Sequence, residues 1–182
     1  MFGKLYCAAM VLLAGASAAH SAEPDAAPIP ASVSALTGCW EGRGEVMSKP
    51  VVIFITAYPI VRGAMVALEA ASSAIADPQD QYAAHLVFGG SDKQPGSKVD
   101  HIVGYWADSF GGAFAATGQG ESRADGFDIT YHYPDDAFVN RWRFSGDQLT
   151  WRIVARDGKG AEKPFASYAF HKTACRSSTD PR

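Results

Sequence analysis

The sequence predicts an all-β fold, a single antiparallel up-and-down domain of about ten strands, on three observations. Short runs rich in β-branched and aromatic residues recur, separated by clusters of Gly, Pro, Asp, Asn and Ser. Apolar and polar residues alternate along the later runs. Several links are short enough to make neighbours antiparallel: Ser145-Gly146-Asp147 is a three-residue connection and Pro134-Asp135-Asp136-Ala137 a four-residue turn.

The runs fall at residues 37–46, 51–58, 64–72, 82–88, 100–106, 113–118, 126–133, 138–144, 148–156 and 165–172. Only residues 64–76 hint at a helix, and Val66, Leu68 and Ala70 alternate there as well as they spiral, so a strand is expected. The looser links are residues 73–81, 89–99, 119–125 and 157–164, where a ligand entrance would be gated.

Alternation assigns the faces. Phe127, Ile129, Tyr131 and Tyr133 share one parity, with Asp128, Thr130 and His132 on the other. Phe138, Trp142 and Phe144 then stand against Arg141 and Arg143, and Leu149, Trp151 and Ile153 against Thr150 and Arg152. The aromatic parity is the core face, because burying those side chains gains about 25 cal/mol per Å². The second to fifth runs are apolar on both faces, and parity says less there.

The chain has 182 residues. Lys4 followed by an apolar run to Ala19 reads as a cleavable signal peptide, residues 1–22, with cleavage after Ala22 or, alternatively, after Ala19. The run is shorter than the roughly 20 residues a spanning helix needs, and no later stretch reaches that length, so no transmembrane segment is expected in the mature chain. Removing Lys4 leaves 15 basic and 19 acidic residues, a net charge of −4, which disfavours nucleic acid as a partner. The expected location is the periplasm or the medium. Residues 23–34, rich in Pro and Ala, read as a tether, residues 35–176 as the domain and residues 177–182 as a flexible tail. In an exported chain, the two cysteines left after cleavage, Cys39 and Cys175, are expected to form a disulfide.

The first run opens with Gly38-Cys39-Trp40-Glu41-Gly42-Arg43-Gly44, a G-x-W-x-G-x-G pattern that sets a large plug beside two positions without side chains. Such a strand bends sharply and lets the tryptophan close one end. The motif, its place in the first strand and the number of strands resemble the lipocalin-like calycins, especially the nitrobindin-type barrels. Tyr105-Trp106-Ala107-Asp108-Ser109 is similar to the W-x-D-S strand end of a bacterial lipocalin-like family of unknown function. The resemblance spans residues 36–175 and implies a closed barrel around a small apolar or amphipathic ligand, or around haem in the nitrobindin branch. Haem carries over poorly: that branch takes its axial histidine from a position near Phe165 or Ala166 here, and His171 meets the need only with an alignment shift.

Parity then places a ligand among Trp40, Tyr131, Trp142, Phe144 and Trp151, joined by Tyr82, Phe88 and Trp106. The four histidines after the signal, His85, His101, His132 and His171, show no metal-ligand spacing, so neither a metal nor another cofactor is expected. Asp135 and Asp136 fit a turn. Glu69 is expected on the outer face; inside, it would be a candidate acid or base. Arg141, Arg143 and Arg152 are expected outside, with Glu41 or loop acids as partners or stacked on Trp40. No nucleophile elbow or phosphate loop occurs, so catalysis has no positive support. The reading is a binding barrel for a small hydrophobic or amphipathic molecule. The alternatives are a calycin-type isomerase or hydrolase using Glu69 or a histidine, and a structural envelope domain with a filled core.

Overall fold

A computed structural model describes residues 27–91 and 99–175. The expected signal peptide, the first four tether residues, most of the 89–99 link and the tail at 177–182 lie outside the described residues. Ten strands follow one another: β1 (Gly38–Val46), β2 (Lys49–Ile60), β3 (Met65–Ala74), β4 (Gln81–Gly90), β5 (His101–Asp108), β6 (Ala116–Arg123), β7 (Gly126–His132), β8 (Asp136–Ser145), β9 (Gln148–Asp157) and β10 (Glu162–Thr173). Each pairs antiparallel with the next, and β1 pairs with β10 to close the barrel. Every expected strand is present. The sixth starts later than expected, because residues Gly112–Phe114 turn as a short 3-10 segment first.

Inside and outside follow the alternation. Phe127, Ile129 and Tyr131 on β7 and Trp142 on β8 are buried, as are Leu149, Trp151 and Ile153 on β9. Glu41, Arg43 and Glu45 on β1 and Glu69 on β3 are exposed on the outer face. Apolar within and charged without is the reverse of a barrel that crosses a bilayer. No helix among the described residues is long and apolar enough to cross a membrane.

The opening motif has a packing reason. Trp40, Gly42 and Gly44 face inward, and the missing side chains make room for aromatics of the neighbouring strand. A Cβ on Gly42 would lie 2.6 Å from Phe170 Cδ1, and one on Gly44 2.8 Å from Tyr168 Cδ1, both closer than side-chain carbons approach. Nearer still are the β10 carbonyls, Ala169 O for the first and Ser167 O for the second, so the two glycines let both the backbone and the rings of β10 close onto β1. Trp40 donates its indole N–H to Leu36 O at 2.7 Å and is 2% exposed.

One end is sealed by the segment before β1. Residues 30–34, expected as part of a tether, instead fold onto the barrel: α1 (Ala31–Ser34) is a single turn whose Val33 is fully buried in the core, with Leu36 beside it. Burying two large aliphatic side chains, each stabilising by about 1.5 to 3 kcal/mol, outweighs the extended preference of this proline-rich stretch.

Cys39 and Cys175 are bonded, with Cα atoms 5.1 Å apart, across the seam where β1 meets β10. At the opposite end, β1 and β2 join through Met47 and Ser48, both at positive φ (47° and 65°), a two-residue turn of the primed kind. Neither residue is the Asn or Gly that normally marks such a turn, and the sequence gives no sign of it.

Candidate functional site

The lumen has a filled half and an open half. Toward α1, Phe88, Phe127, Trp142 and Trp151 form a continuous aromatic column: Trp142 stacks on Trp151 with centroids 4.2 Å apart and on Phe127 at 5.9 Å, while Phe88 meets both Phe127 and Trp142 edge-on. Toward the other end lies a cavity of about 770 Å³, opening between the β1–β2, β3–β4, β5–β6 and β7–β8 links.

Of the eight residues expected to hold a ligand, Tyr82, Trp106, Tyr131 and Trp151 line this cavity. The other four do not. Phe88 and Trp142 belong to the filled column, and Trp40 packs against Phe144 near α1, with centroids 6.2 Å apart. Alternation reports which side of the wall a residue faces and nothing about its height along the barrel axis, so it merges floor and cavity into one set.

Several lining residues were not singled out by sequence reasoning. Asn140 stands between Phe138 and Trp142 on the inward parity, 1% exposed; its Oδ1 accepts the Trp151 indole N–H at 2.8 Å, and its amide donates to Phe138 O at 3.3 Å. The amide thereby orients a cavity wall. Asp108 receives three donors: Tyr82 Oη and Trp106 Nε1 at Oδ2, 3.1 and 3.0 Å away, and the Phe110 amide at Oδ1, 3.0 Å. Its role goes beyond marking the strand end of the W-x-D-S motif. Phe110 and Phe114 stand at the mouth, half-covered at best, with Phe110 5.7 Å from the Tyr82 ring.

The phenols of the lumen are neutral donors. Burial pushes the Tyr168 hydroxyl up to about 12. Tyr82 is raised by burial and then by the Asp108 carboxylate, and Tyr131 and Tyr133 are raised chiefly by burial. Each keeps its proton at physiological pH, so the tyrosines offer hydrogen bonds and π faces, never phenolate charge.

The titratable groups considered for catalysis lie elsewhere. Glu69 is on the outer face, its Oε1 2.6 Å from His85 Nδ1 and 3.5 Å from Tyr58 Oη. His132 and His171 are exposed, on the side of β7 and β10 opposite the buried Tyr131 and Phe170. Among the described residues no histidine lines the cavity, so the residues present do not fit haem held by an axial imidazole.

The arginines are outside, and Arg141 and Arg143 pair with acids of the expected links, Glu162 and Asp125, rather than with Glu41. Arg141 meets both oxygens of Glu162 at 2.8 Å, and Arg156 reaches the same carboxylate. Arg143 lies 2.6 Å from Asp128 and 3.3 Å from Asp125, and donates to Phe127 O and Trp142 O. Over Trp40 sits Lys172 rather than an arginine, its Nζ 5.2 Å from the ring centroid.

No family model and no curated protein matches the chain. Among solved structures, the crystal structure of Rv2717c from M. tuberculosis superposes with a TM-score of 0.59 at 14% identity, over 80% of this chain and 99% of that one. At that identity the likeness shows the fold alone. The chain is a closed ten-stranded antiparallel barrel with a solved counterpart.

Proposed function

We propose that this protein is an exported, lipocalin-like binding barrel that holds a small hydrophobic or amphipathic molecule in its lumen. The observation that carries the reading is the cavity of about 770 Å³ with aromatic walls and a single open end. Small-molecule sites span roughly 300 to 1,000 Å³ and combine apolar walls with a few placed polar groups, here Asp108 and Asn140. A barrel serving only as structure has no need of such a space. A catalytic reading lacks support from Glu69 and His85, which pair on the outside.

Native mass spectrometry of protein taken from its own periplasm or medium should show a small molecule travelling with it. Tryptophan emission should also shift on titration with fatty acids or polyaromatic probes. Trp151→Ala should weaken that response at least tenfold, and Arg143→Ala less than twofold, since Arg143 is on the outer wall. Failure of every probe to bind sinks the reading.

Export is part of the same proposal. Edman sequencing of the secreted or periplasmic protein should begin at Glu23 or at His20. Recovery of full-length chain in the cytosol would overturn it.

A further inference from the structure

We infer that the lumen selects an organic cation, an amine or quaternary ammonium group on an apolar body, with Asp108 and the rings around it receiving the charged end. The inference rests on the binding reading above and adds the sign of the ligand's charge.

Asp108 lines the cavity with both oxygens accepting hydrogen bonds. Its three donors, a phenol, an indole and a backbone amide, are all neutral. Asp108 is partly buried, and a carboxylate so placed is stabilised by a neighbouring positive charge. Lys49 is the one base among the described lining residues, and its ammonium is committed to Asp80 at 2.5 Å on the rim. Asp135 and Asp136 add further negative charge at the mouth. The arginines described above are tied to Glu162, Asp125 and Asp128 on the outer wall, where they offset nothing within.

Aromatic side chains border the carboxylate, Tyr82 and Trp106 with their polar edges toward it. Phe110 is adjacent in space to Tyr82, and Phe114 lies 6.1 Å from Phe110. Tyr133 donates its hydroxyl to Phe114 O at 3.0 Å, which fixes the rim. Ring faces attract cations, most strongly where water is excluded, and a carboxylate among rings is an arrangement suited to an ammonium group. The apolar body of the ligand would then lie against Trp151 and Ile153. A ligand anion would meet Asp108 with no uncommitted base among the described lining residues to balance it.

The test uses disulfide-bonded full-length mature protein and three matched probes, decyltrimethylammonium and decyl sulfate below their micelle concentrations and decanol below its solubility limit. Tryptophan emission should give a Kd for decyltrimethylammonium at least tenfold below those of the other two. In Asp108→Asn the ratio of cation to decanol affinity should fall close to one. Equal binding of the three, or strongest binding of decyl sulfate, overturns the cation assignment and leaves the binding barrel standing. Binding of none overturns both. Should Asp108→Asn fail to fold, the comparison of the three probes on the unaltered protein decides the matter.

Discussion

Cys39→Ser combined with Cys175→Ser lowers the unfolding free energy by up to about 5 kcal/mol, the loop-entropy value for a crosslink between residues 136 positions apart. Domains are stable by only about 5 to 15 kcal/mol, so this one bond accounts for a large share. The ladder beside it, from Cys39↔Thr173 to Val46↔Ala166, holds the folded barrel shut without the sulfurs. The effect therefore falls on the unfolded chain, whose ends are released. Urea unfolding of oxidised, reduced and doubly substituted protein should show reduced and substituted forms alike, both with a steeper denaturant dependence than the oxidised form. A loss below about 1 kcal/mol would show that the bond constrains little.

Trp142→Ala costs about 3 to 5 kcal/mol, the range for deleting a large aromatic side chain from a packed core. Trp142 is fully buried between Trp151 and Phe127, and its removal opens the column from floor to cavity. Its indole N–H has no hydrogen-bond partner among the described residues, so Trp142→Phe gives up ring area while removing an unmet donor. The phenylalanine variant should accordingly lose well under half of what the alanine variant loses in urea midpoint. Equal losses would mean that the second ring of the indole, rather than the filling of the column, carries the stability. In a double-mutant cycle, Trp142→Ala and Trp151→Ala should be strongly non-additive, because each leaves the other's stacking face uncovered.

Much of this was legible from the residues. Alternation on β8 and β9 sorts arginine from tryptophan, because the tryptophan parity faces the core. Tight links gave the antiparallel order, and an even pair of cysteines gave the disulfide. What alternation could not supply is height along the axis, which is why Trp142 was grouped with Trp151 although only Trp151 reaches the cavity. Nor could it detect the irregularity between Pro164 and Ala166 on β10. Phe165 lines the cavity there and the buried Ala166 follows it, so the parity counted forward from Phe165 would wrongly turn His171 inward. Asn140 was hidden for another reason. A polar residue on an inward parity looks like an exception until its partner, the Trp151 indole, is in view.

The seam between β1 and β10 bears on how the barrel is made. Nine ladders join strands consecutive in the chain and can zip locally, one hairpin on the next, whereas the tenth pairs residues at least 120 positions apart. Closure therefore waits for nearly the whole domain, and high contact order slows it. Until β10 arrives, β1 is an unpaired edge, a template on which a second unfinished chain can add a strand. Crowded unfinished chains should thus polymerise through β1, and a disulfide formed early between Cys39 and Cys175 keeps the closing strand within reach of its own edge.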